Sequence, residues 1–264
     1  MGLLPETNSR QNSKPKHLTF AICFWPVFLK TARKRFSLSF VQLLTQDSEL
    51  MTLQNKPTIF YISDALCGWC FAMGPQIEKL HSAYADRFNF EVLSGGMILG
   101  DRVGPIGNMA SFIKQAMPRL NEISGVTMGD AYLKDVLDKG TYVANSEPPA
   151  IALAILKEQQ PDQQVKYAKA VQDLHFKEGK DLNEVETYIP LAQEAGLTAD
   201  EFKAKFSDDQ YRLKAQQEFA QVQAWGIQGY PSMVAQNGDK LYLVTRGFAK
   251  FEDLTPALEQ VLAQ

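Results

Sequence analysis

The hydrophobic residues of this chain follow strand spacing near position 60, helical spacing through the middle, and strand spacing again near position 235. Residues 57–63 are almost all apolar, which predicts a short strand that is buried on both faces. A helix with an apolar stripe follows to about Asp86, and residues 88–92 alternate between apolar and polar in a second strand. Gly95-Gly96 ends that strand.

The middle of the chain has helical spacing almost throughout. A helix that begins at Ser146, with Pro148 and Pro149 in its first turn, is apolar on all sides and should therefore lie in the centre of the protein. The other predicted helices span residues 110–123, 132–139, 162–178, 183–194, 199–206 and 208–225.

The C-terminal part returns to strands. Residues 233–235 and 240–244 form a predicted hairpin joined by Asn237-Gly238-Asp239, and residues 251–262 form a last amphipathic helix. We therefore predict an α/β domain built from residues 51–96 and 227–264. An all-helical insert, residues 97–226, interrupts it, and residues 1–50 are an extension.

The composition and charge of the chain argue against nucleic-acid binding and against a membrane span. The chain is 45% apolar and 22% charged, which is typical of a soluble globular protein. Residues 1–50 hold seven Lys/Arg and three Asp/Glu, so the remainder holds 27 − 7 = 20 basic and 30 − 3 = 27 acidic residues, a net charge of −7. An acidic body without a basic stripe disfavours nucleic-acid binding. No apolar run is long enough for a membrane span.

The extension contains a short apolar block at residues 18–29, and a basic cluster follows this block rather than only preceding it. It fits a secretory signal poorly. Our main hypothesis is that translation starts at Met51; a non-standard signal or anchor and a genuine appended segment are the alternatives. A peptide covering residues 24–29 in the native protein would exclude the Met51 start.

Two of the three cysteines form the motif Cys67-Gly68-Trp69-Cys70, where the first strand is predicted to lead into the helix. Unpaired N–H groups and the dipole at a helix N-terminus favour negative charge, and the thiolate is the reactive form of cysteine. We predict that Cys67 is the activated, more exposed nucleophile. Cys70, one turn further on, is predicted to attack the mixed disulfide formed on Cys67.

Three alternative roles for the two cysteines compete with a redox pair. Zinc needs four ligands, and Cys23, His17, His81 and His175 are not paired at ligand spacing, so we predict no metal. Two inert core thiols are disfavoured by the position at a helix start. A cysteine–histidine catalytic pair would leave Cys70 without a role.

Four segments carry a family resemblance, namely Asp64-Ala65-Leu66-Cys67-Gly68-Trp69-Cys70, Gly95-Gly96-Met97, Ser146-Glu147-Pro148-Pro149 and Gly226-Ile227-Gln228-Gly229-Tyr230-Pro231-Ser232. Together with the element order, they resemble the FrnE-like branch of the DsbA family, a thioredoxin fold with a helical insertion. Its members are often described as predicted protein disulfide isomerases. The resemblance covers residues 58–261. It implies that Pro231 is the cis-proline facing the cysteine pair and that Tyr230 lines the substrate groove.

The residues near Cys67 that set the reduction potential differ from those of DsbA and thioredoxin. Gly68-Trp69 supplies no imidazolium to stabilise a Cys67 thiolate, unlike the Pro-His of DsbA. Tyr61 stands where thioredoxin has a buried acid. Asp64 lies closer to Cys67 in the sequence than Tyr61 does. Its negative charge would oppose thiolate formation at Cys67, or its side chain would cap the helix. We expect a reduction potential between those of thioredoxin and DsbA, roughly −250 to −150 mV.

The main functional hypothesis is a thiol–disulfide oxidoreductase and isomerase acting on protein or small-thiol substrates. It needs no cofactor beyond its own disulfide, with glutathione as a candidate co-substrate, and a thiol reductant or oxidant would recycle it. The alternatives are a glutathione-dependent enzyme, like the kappa-class transferases and 2-hydroxychromene-2-carboxylate isomerases, and a chaperone or binding module. The expected location is cytoplasmic, or periplasmic if the extension acts as a signal.

Overall fold

The computed structural model describes residues 56–264 of the chain. The expectations for residues 1–50 and for a start at Met51 concern residues outside this range. Strand β1 spans Thr58–Ser63, helix α1 spans Gly68–Tyr84, and strand β2 spans Asn89–Ser94. These three elements agree with the predicted strand, helix and strand.

The insert lies between β2 and the next strand of the main sheet. Its elements in chain order are β3 (Gly104–Pro105), α2 (Gly107–Ser124), a π-helix (Tyr132–Asp138), β4 (Val143–Ala144), α3 (Glu147–Gln159), α4 (Gln164–Phe176), α5 (Ile189–Glu194), α6 (Ala199–Phe206) and α7 (Asp209–Ala224). Short 3-10 turns lie at Gly100–Arg102, Pro161–Gln163 and Val185–Tyr188.

The insert is helical apart from one small ladder. Strands β3 and β4 pair antiparallel over two residues each, which adds a small sheet to the insert predicted as all-helical. Two residues are too few for an alternating pattern to register in the sequence. The helix predicted at 183–194 is also divided, into the 3-10 turn Val185–Tyr188 and helix α5.

The chain ends with β5 (Ser232–Asn237), β6 (Lys240–Arg246) and α8 (Phe251–Leu262). Strands β5 and β6 form the predicted hairpin, and Gly238 at its turn has a φ of 57°, a conformation that glycine adopts without strain.

The main sheet has the order β2-β1-β5-β6. Strand β1 runs parallel to β2 and antiparallel to β5, with Ile62 opposite Ser232. The end of β1, which leads to Cys67, therefore lies beside the start of β5, which follows Pro231. The topology brings these two distant segments together.

Two apolar clusters meet at α1. The larger one packs helix α3 against α1, α4 and the sheet, and residues 149–156 of α3 are all buried, as the sequence predicted for this central helix. The second cluster joins Phe71 of α1 to Leu120, Tyr132 and Phe176 of the insert. Burial of each large side chain contributes about 1.5–3 kcal/mol. The helix that carries the cysteines is thus held from both sides.

Among residues 56–264, no helix combines the length and apolar character required to cross a bilayer.

Candidate active site

Cys67 is the N-cap residue of α1, and Cys70 lies in the first turn. The Cys70 N–H donates a hydrogen bond to Cys67 Sγ over 3.3 Å. Such a donor at a helix N-terminus stabilises negative charge on the sulfur. Cys67 is 6% exposed and Cys70 is fully buried. Cys67 is the more exposed of the two, as expected, but only an edge of it reaches the surface.

Cys70 differs from Cys67 in its electrostatic surroundings. Burial raises the pKa of the Cys70 thiol well above its ordinary value, and the hydrogen bond to Cys67 and the charge of Cys67 raise it further. Tyr61 donates its hydroxyl to the Cys70 carbonyl over 3.3 Å, and burial also raises the pKa of that phenol. A neutral phenol therefore lies beneath Cys70, in the place where thioredoxin carries an acid.

Tyr230 and Pro231 form the opposing wall. The Tyr230–Pro231 peptide bond is cis, as the resemblance implied. The Cys67 thiol donates a hydrogen bond to the Tyr230 carbonyl, with Sγ and the oxygen 3.5 Å apart. The Tyr230 ring packs against the backbone of Gly95 and its hydroxyl donates to the Gly95 carbonyl. The structure thus brings Cys67, Cys70, Tyr230 and Pro231 into one site.

Asp64 does not cap α1, so that part of the prediction is wrong. Its carboxylate accepts hydrogen bonds from the Leu66 N–H at 2.9 Å, the Met97 N–H at 2.7 Å and the Ser146 hydroxyl at 3.1 Å. The bond to Leu66 closes a turn before the helix begins, which leaves Cys67 as the cap. Burial raises the pKa of Asp64, and the three hydrogen bonds oppose that rise.

Gly68 and Trp69 face the insert and the loop after β6. A Cβ at Gly68 would lie 3.0 Å from the Met128 side chain, so the absence of a side chain lets the insert approach. The Trp69 ring lies 6.1 Å from the Phe248 ring, centroid to centroid. Both residues shape the surface around Cys67, and neither carries a charge.

A groove of about 550 Å³ lies beside Tyr230. Residues 95–97 and 226–230 of its lining belong to two of the segments that carry the family resemblance. No sequence pattern marked the other lining residues, which are far apart in the chain: Leu99, Arg102, Phe219 and Gln223.

The two histidines in the described part of the chain take structural positions. His175 is buried and its ring packs against Tyr132, and burial lowers the pKa of His175 to about 4. The His81 ring packs edge-on against Phe90. Residues 56–264 contain no group of three or more His, Cys, Asp or Glu side chains arranged to hold a metal ion.

Comparisons with solved structures give the same architecture. A candidate protein disulfide isomerase from Nitrosomonas europaea superposes with a TM-score of 0.71 at 22% identity, over 79% of this chain and 98% of the other. The cytosolic disulfide reductase DsbM from Pseudomonas aeruginosa gives 0.64 at 22% identity, over 78% and 98%. A 2-hydroxychromene-2-carboxylate isomerase gives 0.53 at 14% identity, over 78% and 94%.

The sequence itself decides the family. A comparison with curated proteins gives no significant match. The model of the DSBA-like thioredoxin domain, in contrast, matches residues 58–259, which is most of the chain and includes the cysteine motif, the insert and the hairpin. The chain therefore belongs to the family of DSBA-like thioredoxin domain proteins.

Proposed function

We propose that this protein is a thiol–disulfide oxidoreductase with isomerase activity that acts through Cys67 and Cys70, and that it belongs to the FrnE-like branch of its family. One observation carries the proposal. Cys67 Sγ lies between the Cys70 N–H, 3.3 Å away, and the Tyr230 carbonyl, 3.5 Å away. A sulfur held at a helix N-terminus beside the backbone of the half-buried Tyr230 is suited to attack a disulfide in an extended substrate segment.

The reaction has two exchange steps. The Cys67 thiolate attacks one sulfur of a substrate disulfide, so that a Cys67–substrate disulfide forms and the other substrate sulfur leaves as a thiolate. Cys70 then loses its proton and attacks Cys67 Sγ, which releases the second substrate thiolate. The protein pair is oxidised and the substrate is reduced; the reverse sequence oxidises a substrate dithiol.

The different surroundings of the two sulfurs support this division of roles. Burial raises the pKa of the Cys70 thiol, and a negative charge on Cys67 raises it further, so Cys70 stays protonated while Cys67 attacks. Once Cys67 is bound in a mixed disulfide that charge is gone, and Cys70 loses its proton more easily. The second step is thereby favoured only after the first.

Glutathione is included as a co-substrate of the proposed activity. DsbM, which shares the fold at 22% identity, is described as a cytosolic disulfide reductase and has been solved with GSH. This likeness supports a reductase role with a small thiol as the recycling reductant, and it supports a cytoplasmic location. Protein thiols and disulfides remain the main proposed substrates.

The test compares Cys67→Ser and Cys70→Ser with the unmodified protein in insulin reduction and in refolding of scrambled ribonuclease. We expect Cys67→Ser to abolish both activities. Cys70→Ser should retain the first attack and accumulate a mixed disulfide that mass spectrometry detects. Serine is nearly isosteric with cysteine, so both variants should fold. Activity retained by Cys67→Ser would reject the mechanism.

Trapping in cells would identify the partners. Cys70→Ala expressed in the native host should hold substrates on Cys67 as mixed disulfides, because the resolving sulfur is missing. The captured proteins would show the natural substrates and the compartment together. The double variant Cys67→Ala/Cys70→Ala is the matched control and should capture none.

A glutathione-dependent isomerase or transferase is the second candidate. Its support is the shared fold with the 2-hydroxychromene-2-carboxylate isomerase and the groove beside Tyr230. That chemistry needs one activated thiol of glutathione and no resolving cysteine. Turnover of a small aromatic substrate that persists in Cys70→Ala, together with lost insulin reduction, would favour it over disulfide exchange.

A further inference from the structure

Arg102 is the one charged side chain among the residues that line the groove beside Tyr230. It ends the 3-10 turn Gly100–Arg102, and its side chain is exposed. Its Nη2 donates one long hydrogen bond, 3.5 Å, to the Gly96 carbonyl, which places the guanidinium over the loop that holds Tyr230. Within residues 56–264, Arg102 forms no ion pair, although fourteen other pairs are present. Most of its donors are therefore available to a ligand.

Tyr230 connects the groove that contains Arg102 to the reactive sulfur. It lines the groove together with Arg102, and its carbonyl oxygen is 3.5 Å from Cys67 Sγ. Burial and the Asp64 carboxylate raise the pKa of Tyr230, and the charge of Arg102 lowers it. Tyr230 thus contacts the nucleophilic sulfur through its carbonyl while it shares the groove with the cation.

The remaining lining would not repel an anion. It contains no Asp or Glu, and consists of glycine backbone, apolar side chains and the amides of Gln223 and Gln228. The chain beyond residue 50 carries a net charge of −7. An anionic ligand would approach such a surface only where a local cation offsets that field.

We propose that this groove binds small thiols and disulfides that carry a carboxylate, and that Arg102 recognises the carboxylate while the ligand sulfur reaches Cys67. A guanidinium matches a carboxylate with two parallel hydrogen bonds. A volume of about 550 Å³ lies in the range of small-molecule sites. The inference rests on the proposed function, to which it adds a substrate class and a specificity residue.

The step to be measured is the oxidation of the reduced protein. Cys67 attacks a symmetrical small disulfide and expels one thiolate; Cys70, losing a proton, then displaces the second. One disulfide becomes two thiols, and the protein dithiol becomes the Cys67–Cys70 disulfide. No further oxidant or reductant is required.

The test compares two disulfides with opposite charge. Glutathione disulfide carries carboxylates, whereas cystamine carries ammonium groups and no carboxylate. Reduced protein is mixed with each in excess, quenched with acid, and analysed by mass spectrometry as dithiol, mixed disulfide and intramolecular disulfide. Arg102→Gln should raise the half-saturating concentration of glutathione disulfide about five- to tenfold, as expected for losing a partly exposed charge-assisted contact. Its reaction with cystamine should be unchanged or faster.

Two further variants separate a local effect of Arg102 from a general effect of charge. Lys240→Gln removes the same charge from an exposed site at the opposite end of the sheet, since Lys240 pairs with Asn237 and Arg246 pairs with Ser232. It should leave both reactions unchanged. Arg102→Lys keeps the charge without the bidentate geometry, and should retain part of the preference for glutathione disulfide.

An equal loss with both disulfides, or no change with either, would overturn the inference. A loss confined to protein substrates would assign Arg102 to an acidic protein segment instead and would also overturn it. If the unmodified protein reacts with neither disulfide and with no protein disulfide, the proposed function itself fails. If it reacts normally and Arg102→Gln shows no selective effect, only this inference fails.

Discussion

The Ser146 hydroxyl donates a hydrogen bond to the Asp64 carboxylate over 3.1 Å, and so joins the start of helix α3 to the end of strand β1. The same hydroxyl accepts the Ile98 N–H at 2.9 Å, and Asp64 accepts the Met97 N–H at 2.7 Å. These N–H groups follow Gly95, against which Tyr230 packs. One buried polar network therefore couples the insert to the wall of the active site.

Removal of the Ser146 hydroxyl should weaken this network. Ser146→Ala leaves the buried Ile98 N–H without its acceptor, which should lower the free energy of unfolding by about 1–3 kcal/mol. The pKa of Asp64 should rise further, since one of the bonds that favour its charged form is lost. Urea unfolding measures the first effect. Ser82→Ala, at an exposed helical hydroxyl, is the control, and equal stability of the two variants would contradict the prediction.

Gly95 is required by its contact with Tyr230. A Cβ at Gly95 would lie 2.3 Å from the Tyr230 ring, so Gly95→Ala must displace that ring. We expect a loss of about 1–3 kcal/mol in stability, as for overpacking in general, and slower exchange with protein disulfides. Gly104→Ala, where a Cβ meets nothing within 4 Å, should behave like the unmodified protein in denaturant and in insulin reduction. Unaltered exchange in Gly95→Ala would show that the position of Tyr230 is unimportant.

His175 should make stability depend on pH. Burial lowers its pKa from 6.5 to about 4, so between these values the unfolded state binds a proton that the folded state excludes. The contribution is complete above pH 6.5 and is lost as the pH falls towards 4, by about 3 kcal/mol in total. His175→Phe should flatten this part of the profile in urea titrations at successive pH values. Phe176→Leu, which perturbs the same aromatic cluster without removing a titrating group, should keep the slope.

The reduction potential tests the role of Trp69. We expect the unmodified protein at roughly −250 to −150 mV, measured in glutathione redox buffers. Trp69→His would place an imidazolium beside Cys67, stabilise its thiolate and raise the potential by roughly 30 mV or more, equivalent to about 1.4 kcal/mol. Trp69→Phe controls for the lost contact with Phe248. A value for the unmodified protein near the roughly −120 mV of DsbA would refute the argument from the dipeptide.

Local patterns in the sequence determined the elements around the site. The apolar run before Cys67 predicted β1, and the motif predicted the start of α1, where Cys67 is the cap residue. The hairpin at Gly238 and the last helix, Phe251–Leu262, were also predicted, because turn chemistry and helical spacing act over a few residues. The family resemblance added the place of Pro231.

Only the tertiary structure decided how distant residues meet. Asp64 bonds to Ser146 across 82 positions, and Tyr230 bonds to Gly95 across 135. Arg102 reaches the groove from a short turn that no periodic pattern marks. Periodicity reports which face of an element is buried, but not which other element covers it. The two cysteines could therefore be identified from their spacing, whereas the polar network of Asp64 and Ser146 and the place of Arg102 in the groove depend on the packing of the whole domain.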